Sequence, residues 1–145
     1  MQAKVVSINV SLEKGTKKRP LQEALLKENF GLQGDAHASG AWHRQLSLLA
    51  LEDIQQMRAK GLEVGPGDFA ENITTQGLKL GSLPVGTRLR IGPEAVVEIT
   101  QIGKRCHSPC EIFRQAGDCI MPRQGVFARI LKGGIIRRGD PIIVL

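Results

Sequence analysis

The chain has 145 residues, three cysteines, a formal net charge of +6 and a pI of about 9.6. This length suits one domain with its own core, so we expect a single domain over residues 1–145. The apolar run near the N-terminus is soon interrupted by charge, which predicts neither a signal peptide nor a membrane span. We therefore expect a reducing, cytoplasmic location, and an odd number of cysteines in such a compartment argues against a disulfide framework and for thiol or metal chemistry.

The basic charge is compatible with two classes of partner. Clustered lysine and arginine neutralise the phosphates of nucleic acids, but they serve a small anionic ligand equally well. The chain has no tyrosine, one tryptophan and four phenylalanines, so it lacks the aromatic residues on which single strands usually stack. The composition therefore favours a small anionic ligand over RNA.

Most of the predicted elements are strands. The β-branched run Lys4–Val10 predicts a first strand, whereas residues 21–30 combine helix-favouring residues with a short length and stay ambiguous. Residues 45–50 predict a buried strand, and residues 51–60 a short helix that ends at Gly61. Further strands follow, with the clearest at residues 95–101 and 142–145. Strands separated by turns, with two or three short helices, predict a mainly β fold in the form of a closed or strongly curved mixed barrel.

Two loops before residue 80 are rich in polar groups. The first, residues 34–47, holds Asp35, His37, His43, Arg44 and Gln45. Its two histidines are six residues apart, which is not a recognised metal-ligand spacing, and taken alone a turn and a solvated strand start are the better interpretation. The second, residues 65–75, groups acidic and amide residues that suit either acid–base chemistry or an ordinary turn, and the turn is commoner.

The cysteine-bearing stretch, residues 100–123, is the best candidate for chemistry. Ser108-Pro109-Cys110-Glu111 has the pattern of a helix start, which places Cys110 in the first turn. Free N–H groups, the helix dipole and nearby cations favour a thiolate at that position. Cys106 is the second candidate. The nearby cations that would favour the thiolate are Lys104, Arg105 and His107.

Three chemistries compete for these cysteines. A thiolate can act as a nucleophile or sulfur carrier, or it can bind a soft transition metal. A structural zinc site is the third hypothesis, with His107 beside three cysteines, but the spacing differs from the common zinc knuckle. Cys119, next to Ile120 and Met121, also fits a buried apolar side chain.

Several motifs in order resemble the MOSC domain, named for the C-terminal domain of molybdenum cofactor sulfurase. They are GDAH with HRQLSLLALE, GDFAENITT, LPVGTRLRIG, TQIGKRCHSPCEIF with GDCIMPR, and GVFARILKGG with RRGD. The resemblance spans nearly the whole chain and is closest to small stand-alone bacterial members. It implies a barrel similar to that of pyruvate kinase, and a protein that binds molybdopterin or carries sulfur for its maturation.

The resemblance also implies a site. The family cysteine follows the strand ending in Thr-Gln, so it falls on Cys110 or Cys106, with Cys110 as the predicted molybdenum ligand. The CxxxC spacing departs from the CxxC of amidoxime-reducing relatives. The implied cofactor-binding residues are Asp35, His37, His43, Arg44, Gln45, Glu71, Asn72, Thr74, Lys104, Arg105, His107 and Arg123.

The chain has no room for a pyridoxal phosphate (PLP) domain, so we expect a carrier or cofactor-binding module without turnover of its own. Its expected partners are a cysteine desulfurase or a molybdoenzyme, as donor or acceptor of sulfur or cofactor. Two alternatives stay open: a molybdenum-dependent reductase of N-hydroxylated compounds, and a basic β-barrel that binds RNA.

Overall fold

The computed structural model describes residues 3–11, 19–36, 38–103 and 125–145. Within these ranges the protein is mainly β, with one α-helix and one short 3-10 helix. The strands are β1 (Lys4–Val10), β2 (Arg19–Leu21), β3 (Glu23–Lys27), β4 (Gly31–Leu32), β5 (Leu46–Ala50), β6 (Ile73–Gln76), β7 (Arg88–Ile91), β8 (Ala95–Ile102), β9 (Val126–Lys132), β10 (Gly134–Arg137) and β11 (Ile142–Val144). The α-helix, α1, is Leu51–Ala59, and the 3-10 helix is Leu80–Ser82.

Two sheets organise the described strands. Eight strands form one sheet in the order β11-β7-β8-β9-β5-β6-β1-β2, and β10, β3 and β4 form a second. All neighbours are antiparallel except β5 and β6, which are parallel because α1 connects them as a crossover. The order places β5 beside β9 and β9 beside β8, so the chain before β5 lies next to the end of β8.

The predicted closed or strongly curved barrel is wrong. The eight-stranded sheet has two open margins, β11 and β2, and no sheet among the described strands closes on itself. Near the margins, the start of β1 meets the chain around Pro141 through an isolated bridge, Lys4 with Pro141, and through backbone hydrogen bonds such as that from the Val5 N–H to the Asp140 carbonyl at 2.9 Å, but β1 and β11 do not form a strand pair. Proline has no N–H to continue a ladder, and the edge of β1 from Ile8 to Val10 is already paired with β2.

The ambiguous segment, residues 21–30, is resolved as strand. β3 has the sequence EALLK, whose residues favour helix, but its burial alternates strictly between exposed and buried positions. Ala24 and Leu26 point into the core, and β3 pairs with both β10 and β4. Cross-strand pairing and burial therefore override the weak helix propensity of this segment.

The predicted helix at residues 51–60 is confirmed as α1. Glu52 and Asp53 lie in its first turn and Arg58 in its last, which complements the helix dipole. Ile54 and Met57 are its buried residues, and each contributes about 2 kcal/mol by burial. They pack with Leu49, Val64, Phe69 and Phe127 in a second apolar cluster, distinct from the larger core between the strands.

None of the helices in these four described ranges has the length and apolar character needed to cross a bilayer.

Candidate functional site

The cysteine-bearing segment leaves and rejoins the sheet at one point. The N–H of Gly103, just after β8, donates to the carbonyl of Gly125, just before β9, at 2.6 Å. The side-chain amide of Gln101 donates to the Gly103 carbonyl at 2.8 Å. The two ends of residues 104–124 are therefore held together beside Gln101. The described ranges do not include Lys104, Arg105, Cys106, His107, Cys110, Cys119, Arg123 or His37, and the roles inferred for them stay predictions.

Arg44 lies directly beside this point. Its Nε donates to Oε1 of Gln101 at 2.9 Å, so Gln101 links the arginine to the foot of the cysteine segment. The guanidinium carbon lies 4.9 Å from the ring centre of Phe127 and 5.3 Å from that of Trp42. Such contacts hold a cation in place through the ring quadrupole. We refer to Trp42, His43, Arg44, Gln101 and Phe127 as the arginine cluster.

Arg44 has no carboxylate partner in the part of the chain that the structure describes. Arg88 and Arg129, in contrast, both form ion pairs with Glu98, and Arg137 forms one with Glu23. Arg44 is also half-buried, and its terminal nitrogens donate to no described residue. A guanidinium with unused donors fits a carboxylate or phosphate group well.

His43 is held against β8 and β9 by one hydroxyl. The Oγ1 of Thr100 lies 3.0 Å from His43 Nδ1, 3.2 Å from the His43 carbonyl and 3.3 Å from the Phe127 carbonyl. A hydroxyl has a single proton, so if it donates to a carbonyl it accepts from Nδ1–H.

The second predicted motif lies in a different environment. Glu71 is fully buried, and one of its oxygens, Oε2, accepts hydrogen bonds from the Gly67 N–H at 2.9 Å and the Thr74 hydroxyl at 2.7 Å. The other oxygen, Oε1, has no hydrogen-bond partner among the described residues. Burial raises the pKa of Glu71 above its ordinary value, against the opposing effect of the Gly67 and Thr74 hydrogen bonds.

Asn72 connects three strands from inside the protein. Its Oδ1 accepts from the N–H of Ser47 at 3.0 Å, and its Nδ2 donates to the carbonyl of Asn9 at 3.3 Å. The Asn9 side chain donates in turn to the carbonyl of Glu71 at 3.3 Å. These contacts tie β1 and β5 to the start of β6. We refer to Asn9, Ser47, Glu71, Asn72 and Thr74 as the buried polar cluster.

Two residues just before Glu71, Gly67 and Ala70, have an unusual backbone conformation with a positive φ. Gly67 has a φ of 89°, and a Cβ there would lie 3.2 Å from the Asn9 side chain. Ala70, immediately before Glu71, also has a positive φ of 65°, which is unfavourable for a residue with a side chain. Such strain costs about 1 kcal/mol and is retained where surrounding contacts fix the backbone.

Two more predicted site residues bond within the protein. Gln45 is buried, with its amide donating to Asn29 Oδ1 at 2.9 Å and its carbonyl accepting from the Ile130 N–H at 3.0 Å. Asp35 is buried as well and accepts from the Ser11 N–H at 2.9 Å. Both are placed to stabilise neighbouring backbone. Of the predicted cofactor-binding residues that the structure describes, His43 and Arg44 are the two with side chains outside the buried interior.

A groove of about 720 Å³ lies elsewhere, between the first half of α1 and residues 77–82. Glu52 and Asp53 line it, and burial, followed by the charge of Glu52, raises the pKa of Asp53. None of the predicted site residues lines this groove. Among the described residues, no group of three or more histidine, cysteine and acidic side chains is arranged to hold a metal ion.

The arginine cluster includes residues that the sequence did not identify. Gln101 belongs to the Thr-Gln pair before the cysteine segment, and this position is the only feature of the sequence that could have indicated a role for it. Phe127 has no distinguishing sequence pattern, and Trp42 was noted only as the single tryptophan. The residues of the arginine cluster come together because β8 pairs with β9 and β9 pairs with β5. This pairing brings Arg44 next to Gln101, although the two are 57 positions apart in the sequence.

Solved structures share this fold over almost the whole chain. The YuaD protein of Bacillus subtilis has a TM-score of 0.81 at 19% identity, with 98% of this chain and 94% of that chain covered. YiiM from Geobacillus stearothermophilus has a TM-score of 0.74 at 21% identity, covering 99% of this chain and 75% of its own. YiiM from Escherichia coli has a TM-score of 0.71 at 18% identity, covering 100% and 70%. At these identities the similarity shows the fold alone.

No curated protein matches the sequence. The MOSC domain model, in contrast, matches residues 35–143, which include the arginine cluster, the cysteine segment and every member of the buried polar cluster except Asn9. This match covers well over half of the chain and confirms the resemblance found in the sequence motifs. The family is associated with the molybdenum cofactor. The chain belongs to the MOSC domain family.

Proposed function

We propose that this protein handles the molybdenum cofactor, either by binding its pterin or by carrying sulfur for its maturation. The observation that carries the proposal is the Gly103–Gly125 hydrogen bond next to Arg44. It holds Gly103 and Gly125, the residues that flank the segment containing Cys106 and Cys110, beside Arg44, whose terminal nitrogens donate to no described residue. Family membership supplies the association with the cofactor.

The described residues fit the cofactor through its anionic part. Arg44 presents terminal N–H donors, and His43 lies next to it, so both suit the phosphate of a pterin cofactor. Lys104, Arg105, His107 and Arg123 would add to this charge. When bound, the cofactor would supply a molybdenum centre that accepts a thiolate ligand, with Cys110 as first choice. We assign Asp35, Gln45, Asn72 and Thr74 a supporting role, because their hydrogen bonds lie within the protein.

Sulfur carriage would use the same thiolate. The Cys110 sulfur would attack the outer sulfur of a persulfide on a cysteine desulfurase, forming a new S–S bond. The S–S bond of the donor would break, and the donor would leave as a thiolate. No external oxidant is needed, because the sulfane sulfur only changes its carrier. A low thiol pKa, which the predicted helix start and the neighbouring cations favour, would keep the nucleophile deprotonated.

The test is native mass spectrometry of protein purified anaerobically from its own host. Wild type is compared with Cys110→Ser and Cys106→Ser, with Cys119→Ser as the matched control. We expect a pterin–molybdenum mass or a one-sulfur adduct in wild type and in the Cys119 variant, and its loss in one of the other two. Bare protein in every sample would contradict the proposal, and so would a zinc mass that several variants lose.

A further inference from the structure

We infer that the arginine cluster is a subsite for a phosphorylated planar heterocycle, in which Arg44 binds the phosphate and the exposed indole of Trp42 covers the ring. This inference rests on the proposed function and specifies which part of the ligand meets which side chain. It assigns a role to Trp42 that neither the motif nor the family match gives.

The exposure of Trp42 is the first step. It is the only tryptophan in the chain, and 51% of its surface is exposed. Tryptophan is highly buried on average, because its ring removes more apolar area from water than other side chains do. An indole left half in solvent, beside an arginine whose terminal nitrogens donate to no described residue, fits a surface that a ligand completes. Its ring centre lies 4.8 Å from that of His43, with a tilt of 35°.

The fixed position of Arg44 is the second step. Phe127 is buried in the second apolar cluster, so the ring beneath the guanidinium belongs to the rigid part of the protein. Gln101 holds Nε, which leaves the two terminal nitrogens to bind an oxyanion side by side. A guanidinium held in this way loses little conformational entropy when it binds phosphate, so the site is preorganised.

The two features together define the ligand class. A cation alone would select any oxyanion, and an indole alone would select any flat apolar group. Because Arg44 lies 5.3 Å from the Trp42 ring, one small molecule can reach both only if its phosphate and its planar ring are close in its covalent structure. A nucleoside monophosphate has this combination and serves as the probe.

The experiment titrates the fluorescence of the single tryptophan with GMP at constant ionic strength. Because the chain has no tyrosine and no second tryptophan, the emission reports on Trp42 alone. We expect a saturable change with GMP, and weaker binding of guanosine and of ribose 5-phosphate. Arg44→Gln should weaken GMP binding by about tenfold to a hundredfold, the value of charge-assisted hydrogen bonds.

Arg90→Gln is the matched control. Arg90 is exposed on β7 opposite Val96, five residues along β8 from Gln101, which is about 17 Å at the usual rise of a strand. It should change GMP affinity less than about twofold. A non-saturable response, or equal weakening in both arginine variants, would overturn the subsite.

Trp42→Leu tests the ring contact separately from the phosphate contact. Calorimetry measures how tightly the variant binds GMP and ribose 5-phosphate. We expect GMP binding to weaken about tenfold, in line with the loss of one base stack, and ribose 5-phosphate binding to stay within about twofold. Equal losses for both probes would overturn the role of Trp42. If GMP binds but no cofactor or sulfur mass is found by native mass spectrometry, the subsite stands and the proposed function fails. If such a mass is found but GMP does not bind, the proposed function stands and the subsite fails.

Discussion

The arginine cluster and the buried polar cluster are both rich in polar side chains, but they use their hydrogen-bonding groups differently. Asn72 in the buried polar cluster bonds to Ser47 and Asn9, and Thr74 bonds to Glu71. Arg44 in the arginine cluster uses one nitrogen within the protein and leaves its terminal donors without a described partner. The first arrangement stabilises the fold, whereas the second is suited to binding an anion.

This difference separates stability from ligand affinity. Substitutions in the buried polar cluster should change the free energy of unfolding and leave the ligand affinity of the folded protein alone. Substitutions in the arginine cluster should do the reverse. Three substitutions test the separation, in order of decreasing expected effect.

Asn72→Ala should have the largest effect. It removes the acceptor of the Ser47 N–H and the donor to the Asn9 carbonyl, both of which are buried. Two unsatisfied backbone groups predict a loss of about 3 kcal/mol in the free energy of unfolding, measured by urea denaturation. Gln55→Ala, on the exposed face of α1, is the control and should change stability by less than about 0.5 kcal/mol. A small loss for Asn72→Ala, or a change in GMP affinity of its folded form, would break the comparison.

Glu71→Gln should have a pH-dependent effect. Because burial raises the folded-state pKa of Glu71, the protonated carboxyl stabilises the fold below the pKa of the unfolded chain, and this contribution is lost as the pH rises through the raised folded value. Glutamine keeps a carbonyl acceptor for Gly67 and Thr74 without a charge. The variant should therefore gain stability relative to wild type as the pH rises through the raised folded-state pKa of Glu71.

The measurement for Glu71→Gln is the difference in unfolding free energy between the two proteins across the acid to neutral range. Groups other than Glu71 titrate in both proteins and cancel in this difference. A difference that stays constant with pH would show that Glu71 titrates alike in the folded and unfolded chains, contrary to the effect of its burial.

Gln101→Ala should have the smallest effect. It frees Arg44 Nε and removes the bond to Gly103, but the contacts of the guanidinium with Phe127 and Trp42 stay. We expect about threefold weaker GMP binding and less than about 1 kcal/mol of lost stability. A loss as large as that of Arg44→Gln would mean that Gln101 touches the ligand itself.

Much of the fold could be predicted from sequence periodicity. The strand at residues 95–101 and the helix at 51–60 have local patterns that match their burial, and the strand at residues 4–10 follows from its β-branched content. β3 lacks such agreement, because EALLK favours helix and only its pairing with β10 and β4 makes it a strand. The barrel prediction was wrong because closure requires β1 and β11 to pair, and these two strands meet only through an isolated bridge at Pro141 and a few backbone hydrogen bonds of the residues around it.

The candidate site was less predictable than the fold. His43 and Arg44 were identified by their motif, but the same motif contained Asp35 and Gln45, which bond inside the protein. Residue type does not distinguish these cases, since an amide or carboxylate can serve a ligand or a backbone group equally well. Phe127 comes next to Arg44 only through the register of β5 with β9, which a single sequence does not encode locally.

The most direct test of the account is whether GMP protects the cysteines. The arginine cluster and the cysteine segment should form one site, because the ends of the segment are fixed next to Arg44. Alkylation of each cysteine can be followed by peptide mass spectrometry with and without GMP. We predict severalfold slower alkylation of Cys110 or Cys106 in wild type with GMP, no protection of Cys119, and no protection of any cysteine in Arg44→Gln. Equal alkylation rates with and without saturating GMP would contradict a shared site.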